Sequence, residues 1–213
     1  MKQLYPGYNV LDKRHTPSWD PATRAVIEER LALPRQPRFC DAGEWSILEA
    51  ICARILPQPG YRPAFALAAL VDDKLHDNRG DGYRDARLPP LRQAWHQGLA
   101  ALDAEALAKH GRGFARLAAE SQDALLRAMQ QDELSHPAWG PMPCGLFFSQ
   151  RLLHDLTSAY YGHPDAWNDI GFGGPANPRG YVRLGPDSAD PWEAVEARPG
   201  MEAKAEYRNR HVR

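Results

Sequence analysis

The sequence predicts a mainly α protein: a compact irregular helical bundle with an extended N-terminal arm and a Gly/Pro-rich, aromatic C-terminal segment. Three observations carry that prediction. Apolar residues recur at helical spacing from Cys40 to Gly162. No stretch alternates apolar and polar residues over a useful length, and no internal repeat is present. Outside the periodic region, proline and glycine break the chain into short pieces. The expected organisation is an arm with one short helix over residues 1–38 and a helical domain over 39–162. A closing segment and charged tail over 163–213 complete one globular domain.

The arm contains "SWDPATRAVIEERLALP". Asp20 is placed as N-cap and Pro21 at the first helical position, where a missing N–H costs nothing. Val26, Ile27, Arg30 and Leu31 form a partly apolar stripe, and Pro34 is expected to stop the helix. The next helix opens on a capping box, Asp41 and Glu44, and turns Trp45, Leu48, Ile51, Cys52 and Ile55 inward. A further helix is expected from near Pro63 through "LAALVDDKLHD". Its Asp72 and Asp73 read as a solvated face, with Lys74 available to pair with a carboxylate.

A helix over "LPPLRQAWHQGLAAL" should bury Leu91, Ala94, Trp95, Gly98 and Leu99. Two shorter ones follow, "DAEALAKHG" with a glycine C-cap and "AAESQDALLRAMQQ". After the breaker cluster "SHPAWGPMPCG", the last regular helix presents Leu146, Phe147, Leu153, Leu156 and Tyr160. Gly162 and Pro164 close it. The tail "MEAKAEYRNRHVR" alternates acid and base on a short solvated helix.

Bulk composition removes several classes of function. The 26 basic and 27 acidic side chains nearly cancel, which argues against broad attraction to nucleic acid or anionic lipid. No run is long and apolar enough for a membrane span, so none is expected. The first residues carry charges throughout and no apolar core, so no secretory signal is read there. A cytoplasmic location is expected as encoded, with a periplasmic one only through co-export on a signal-bearing partner. The three cysteines, Cys40, Cys52 and Cys144, are widely spaced and make no disulfide framework.

The motifs for chemistry are sparse. "GFGGPANPRG" lacks the strand–turn–helix setting of a dinucleotide loop. "ELSH" gives Glu133 and His136 one-face helical spacing, yet a di-iron bundle needs two such motifs and further glutamates. A stand-alone helical metalloenzyme built on Glu133 and His136, with His76, His96, His110 or His154, is the alternative reading. Cys52 sits in an apolar stripe. Cys40 adjoins Asp41, and Cys144 opens a helix without a base at defined spacing. No catalytic residue, metal ligand or cofactor-binding residue is assigned.

Several stretches resemble a known family. "EWSILEAICARILPQ" with "ALAALVDDKL" resembles its opening helices, and "WHQGLAALDAEALAKHGRGFARLAAESQDALLRAM" its central block. "YYGHPDAWNDIGFGGPANPRGYVRL" is similar to its closing segment. Over about residues 39–190 the chain thus looks like the gluconate 2-dehydrogenase subunit 3 family. The resemblance implies a small subunit without a redox cofactor. Its partner would be a large FAD-dependent sugar or alcohol dehydrogenase of the glucose-methanol-choline oxidoreductase class, with room for a cytochrome c subunit. Family members often carry a twin-arginine signal, and residues 1–38 contain no Arg-Arg pair followed by an apolar stretch.

On that reading the arm and the closing segment wrap the larger partner. Trp167, Phe172 and Tyr181 are the expected anchors, supported by Tyr8 and Trp19 on the arm. Asn168, Gly173, Gly174 and Pro175 shape the contact, and Arg179 and Arg183 pair with acids across it. The competing reading folds the same aromatic rings back onto the chain's own helical bundle as a lid.

Overall fold

A computed structural model describes residues 3–32, 36–180, 185, 186, 188, 190 and 192–211. In chain order the helices are α1 (Pro21–Leu31), α2 (Ala42–Ile55), α3 (Leu67–His76), α4 (Leu91–His110) and α5 (Ala119–Gln130). They continue as α6 (Cys144–Phe147), α7 (His154–Tyr161), α8 (Pro164–Ile170) and α9 (Glu202–Asn209). Short 3-10 turns lie at Val10–His15, Phe114–Arg116 and Pro137–Trp139, and a π-helical segment, Phe148–Leu153, joins α6 to α7. The fold is mainly α, and the described residues contain no sheet.

The chain divides into two compact units. An arm–tail unit comprises Met1–Leu33, Pro59–Phe65 and Tyr161–Arg213, and a helical unit comprises Pro34–Gln58 and Ala66–Tyr160. The two extremities of the chain belong to one unit, which has a core cluster of its own.

In the helical unit local chemistry sets the helix ends. Asp41 accepts from Glu44 N while Glu44 accepts from the Asp41 N–H, so the capping box is closed. Gly111 ends α4 at φ 66°, a left-handed conformation that costs a glycine little. Leu48, Ile51 and Cys52 are buried, as are Leu91, Ala94, Trp95, Gly98 and Leu99. Ile47 joins them, whereas Trp45 and Ile55 are only half-buried.

Three local expectations shift. The helix read from Pro63 starts at Leu67. The two helices read across residues 88–111 are one, because nothing between Leu102 and Asp103 breaks a run of strong helix formers. The π-helical segment also rotates the inner stripe: Leu152 is fully buried and Leu153 points out, since one extra residue per turn advances the face.

The arm–tail unit is built differently. Asp20 caps α1 by accepting from Thr23 N, and Pro21 follows it as expected. Only Ile27 of the α1 stripe is deeply buried, while Val26 is exposed; Pro34, the expected stop, lies outside the described residues. Ile27 joins Tyr8, Val10, Trp19 and Trp167 in a core cluster. Tyr5, Leu11, Leu31, Trp192 and Ala194 pack against it. At the far end of the chain, α9 buries Asn209. Its amide donates to the carbonyls of Pro6 and Val195 and accepts from Val195 N.

Candidate functional site

The Gly/Pro-rich closing segment begins at α8. His163 caps this helix by accepting the Asp165 N–H on Nδ1 at 3.3 Å, and its ring stacks on Phe65 at 4.0 Å. Burial holds the His163 pKa below the ordinary imidazole value. Arg62 forks onto Asp169, with Nη2 at 2.6 Å from Oδ2, and both side chains are largely buried. Tyr61 donates to Asp169 Oδ1 at 2.9 Å.

The arm then lies on the segment. Asn168 Oδ1 accepts the Val10 N–H at 2.7 Å, and Lys13 Nζ donates to the Gly173 carbonyl at 3.2 Å. Asp20 and Asn177 exchange two bonds: Asp20 N donates to Asn177 O at 2.7 Å, and Asn177 Nδ2 to Asp20 Oδ2 at 2.6 Å. Arg30 reaches the Gly162 carbonyl at 3.1 Å.

Two glycines are required by this seat. Gly171 ends α8 at φ 68°, and a Cβ there would meet the Tyr5 ring at 2.4 Å. Gly174, at φ 70°, would bring a Cβ to 3.0 Å from Val10. The glycines therefore let the arm approach the closing backbone.

Of the expected anchors, Tyr8, Trp19 and Trp167 are buried in the core of the arm–tail unit and are not on the surface. The rings fold back within the chain, though onto the arm and tail rather than onto the bundle. Phe172 remains 44% exposed, set edge-on to Trp167 with ring centres 5.6 Å apart. Gly174 is buried, and Asn168, Gly173, Pro175 and Arg179 are half-buried. Arg179 stacks its guanidinium over Trp192 at 4.3 Å. Tyr181 and Arg183 lie outside the described residues. The exposed apolar side chains around α8 are Tyr61, Tyr161, Ile170 and Phe172.

The groups considered for catalysis are engaged elsewhere. Glu133 and His136 fall beyond α5, so helical spacing does not apply to them. His136 Nδ1 accepts from Ala138 N at 3.1 Å, and its backbone N–H donates to Glu105. His96 pairs with Glu44 at 2.6 Å, and His76 Nδ1 lies 3.2 Å from the Arg38 carbonyl oxygen. The three cysteines are buried thiols. Burial, and then the Asp72 carboxylate, push Cys40 far up; burial raises Cys52 to about 12 and Cys144 to about 11. Thiols held so far from ionisation are poor nucleophiles.

Asp72 and Asp73 are not solvated. Asp72, 1% exposed, accepts the backbone N–H groups of Arg38, Phe39 and Cys40. Asp73 pairs with Arg38 and Arg79. Lys74 turns inward to bridge Asp155 and Asp81, each at 2.8 Å, and Trp95 Nε1 donates to Asp155 at 2.8 Å. Burial would lower the Lys74 pKa, but the bonds to Asp155 and Asp81 raise it overall.

Among the described residues, Asp81, His154 and Asp155 bring ligand-type atoms within 4.8 Å of one another. The Lys74 ammonium already bonds two of these carboxylates. The cluster thus carries its own cation and fits a structural lock better than a metal centre.

The model of the family "Gluconate 2-dehydrogenase subunit 3" matches residues 42–174, from the first turn of α2 to the last glycine of the closing turn. The chain belongs to that family. No curated protein and no solved structure matches it. The family region thus contains the helical unit's polar lock and α8 with its Gly171–Gly174 turn. Most of the arm, Arg179 and α9 lie beyond it. The family's name describes a subunit of a dehydrogenase, and no helix among the described residues is long and apolar enough to cross a membrane.

Sequence reasoning did not find Lys13 or Arg62. Each sits in a stretch whose charge reads as solvated, and its partner lies far along the chain. For Lys13 that partner, Gly173, is 160 residues away.

Proposed function

We propose that this chain is a non-catalytic subunit that binds a large FAD-dependent dehydrogenase of the glucose-methanol-choline class and supports its maturation and stability. Membership of the subunit 3 family over residues 42–174 carries this reading. The chemistry of the chain supports it. The thiols are held protonated, the histidines discussed above are engaged locally, and the buried carboxylates bond partners within the chain. A flavin, and the sugar or alcohol it oxidises, would then reside on the partner.

The exposed rim of α8 is the docking face we assign. Ile170 ends a short helix fixed by the Arg62–Asp169 fork and the His163 cap, and Phe172 stands out on the turn just beyond it, so docking orders little that is not already ordered. Large apolar side chains on a rigid support dominate interface energies.

Tagged chain purified from its native host should bring down a flavin-bearing protein in fixed ratio and hold no flavin by itself. Phe172→Asp and Ile170→Asp should each lower that recovery about tenfold or more while leaving the circular dichroism and melting midpoint of the isolated chain unchanged. Recovery of monomer alone, at every salt concentration tried, would sink the reading.

A further inference from the structure

We infer that the arm–tail unit contains a binding site for an oxyanion, a carboxylate or phosphate group, centred on Lys13 and Arg179. Lys13 is 1% exposed. A buried ammonium is normally paired. Among the described residues Lys13 forms no ion pair, and its one hydrogen bond goes to the Gly173 carbonyl at 3.2 Å. Its remaining neighbour is the Tyr8 ring, 5.7 Å from Nζ. Glu193 is the nearby acid and leaves Lys13 without a direct partner; its Oε2 instead accepts from Asp190 N at 2.8 Å.

Arg179 repeats the pattern. Its guanidinium lies over Trp192 at 4.3 Å, and its buried Nη1 has no acceptor. The same unit holds further buried donors without acceptors: the indole N–H of Trp19, the indole N–H of Trp192 and the hydroxyl of Ser18. Trp19 and Trp192 belong to the same packed cluster as Tyr8, the ring beneath Lys13.

Buried donors left unmade cost about 1–3 kcal/mol each, so a native structure rarely gathers them without an occupant. The unmatched groups are donors beside two cations, and Glu193, the nearby acid, makes no ion pair with Lys13, so an acceptor carrying negative charge suits them best. A guanidinium and two indoles offer planar N–H groups that suit carboxylate or phosphate oxygens. Burial, then the charge of Arg179, push the Lys13 pKa down to about 8, with Glu193 opposing them. Both cations lie outside the family-matched residues 42–174, although Lys13 bonds the carbonyl of Gly173 within them.

Melting of the purified full chain tests the proposal, at neutral pH and matched ionic strength, in chloride, acetate and inorganic phosphate at about 20 mM. One oxyanion or both should raise the midpoint above chloride by ~2–5 °C. A larger shift in acetate assigns the site to carboxylates, and a larger one in phosphate to phosphorylated ligands.

Lys13→Met removes an unpaired buried cation while keeping the stem. Its midpoint in chloride should equal or exceed that of the parent, and its oxyanion shift should vanish. Arg179→Gln, at a half-buried position, should cut the shift by more than half without lowering the midpoint in chloride. Equal midpoints in all three salts, a full shift in Lys13→Met, or a Lys13→Met midpoint well below the parent in chloride would each overturn the proposal. The last result would mean that the ammonium is already matched.

Discussion

Asp155 in the helical unit and Lys13 in the arm–tail unit are shut from water to the same degree, at 0% and 1% exposure. Asp155 meets an ammonium and an indole N–H, each at 2.8 Å. Lys13 meets one carbonyl and the face of a ring. The contrast extends beyond these two. Among the described residues the unmatched buried side-chain atom of the helical unit is Arg151 Nε, whereas in the arm–tail unit Arg14, Ser18, Trp19, Arg179 and Trp192 each contribute one. A region whose buried polar groups bond one another is finished by its own folding. One that gathers unmatched donors around a cation, beside an exposed apolar rim, is suited to meeting another molecule.

The largest effect should come from the finished side. Asp155→Ala would leave the Trp95 N–H without its acceptor and Lys74 with the more exposed Asp81 alone, so the loss should approach the about 3–5 kcal/mol that follows removal of one member of a buried pair. Urea unfolding followed by tryptophan fluorescence should show a loss of that size. The double change Asp155→Ala with Lys74→Met should recover most of it, because the uncompensated charge then leaves as well. A single-mutant loss of only about 1 kcal/mol would rank the lock with surface ion pairs and erase the contrast with Lys13.

Two glycine substitutions sharpen the comparison at intermediate size. In α4 an alanine at Gly98 would favour the helix by about 1 kcal/mol. Its Cβ, however, would sit 2.2 Å from the Phe147 ring. That ring is held edge-on to Trp95 at 5.7 Å and tilted on Trp139 at 6.0 Å, so it has nowhere to retreat. Overpacking should win, for a net loss of about 2 kcal/mol.

Gly171→Ala meets a ring at a similar distance, 2.4 Å, together with a left-handed backbone. Here the obstacle is Tyr5, which is half-buried and can swing aside. About 1 kcal/mol should be lost, chiefly to the backbone conformation. Hydrogen exchange should show the difference in kind: Gly98→Ala loosens α4, while Gly171→Ala releases the arm's Val10 amide.

The sequence made the helix ends readable because their causes are local. Asp20 before Pro21, Asp41 facing Glu44, and Gly111 after α4 each act within one turn. The fusion of two expected helices into α4 and the π-helical segment before α7 depend on packing, which periodicity does not report. The same limit explains Asp72. An acid in "LVDDKL" reads as solvated, but its partners are backbone amides 32–34 residues upstream. The arm–tail unit was the least readable region. Its defining bonds, such as Val10 to Asn168, span 158 residues, and neither end has enough apolar sequence to advertise a core. Aromatic content marks Tyr8, Trp19 and Trp167 as anchors without saying for what, and the arm–tail unit itself buries all three.

The smallest expected effect is a pH dependence confined to the arm–tail unit. His163 is buried against Phe65, and its Nδ1 must stay unprotonated to accept the Asp165 N–H. Burial lowers its pKa most; Arg62 and Arg30 lower it further, and the Asp165 carboxylate at 3.7 Å opposes them. Because the folded value lies below the unfolded 6.5, the unfolded chain takes up the proton first as pH falls. The stabilising contribution is therefore complete above about pH 6.5 and is lost as pH drops through the folded value. Asp20, Asp81, Asp123 and Asp132 are all held below the ordinary 3.8 and titrate at more acid pH. Between about pH 7 and pH 5 the midpoint should fall by ~1–3 °C. His163→Asn keeps a side-chain oxygen for the cap and removes the titration, so its midpoint should stay level over the same interval. A variant that tracks the parent would place the acid sensitivity elsewhere and leave α8 no weaker in acid than the lock around Asp155.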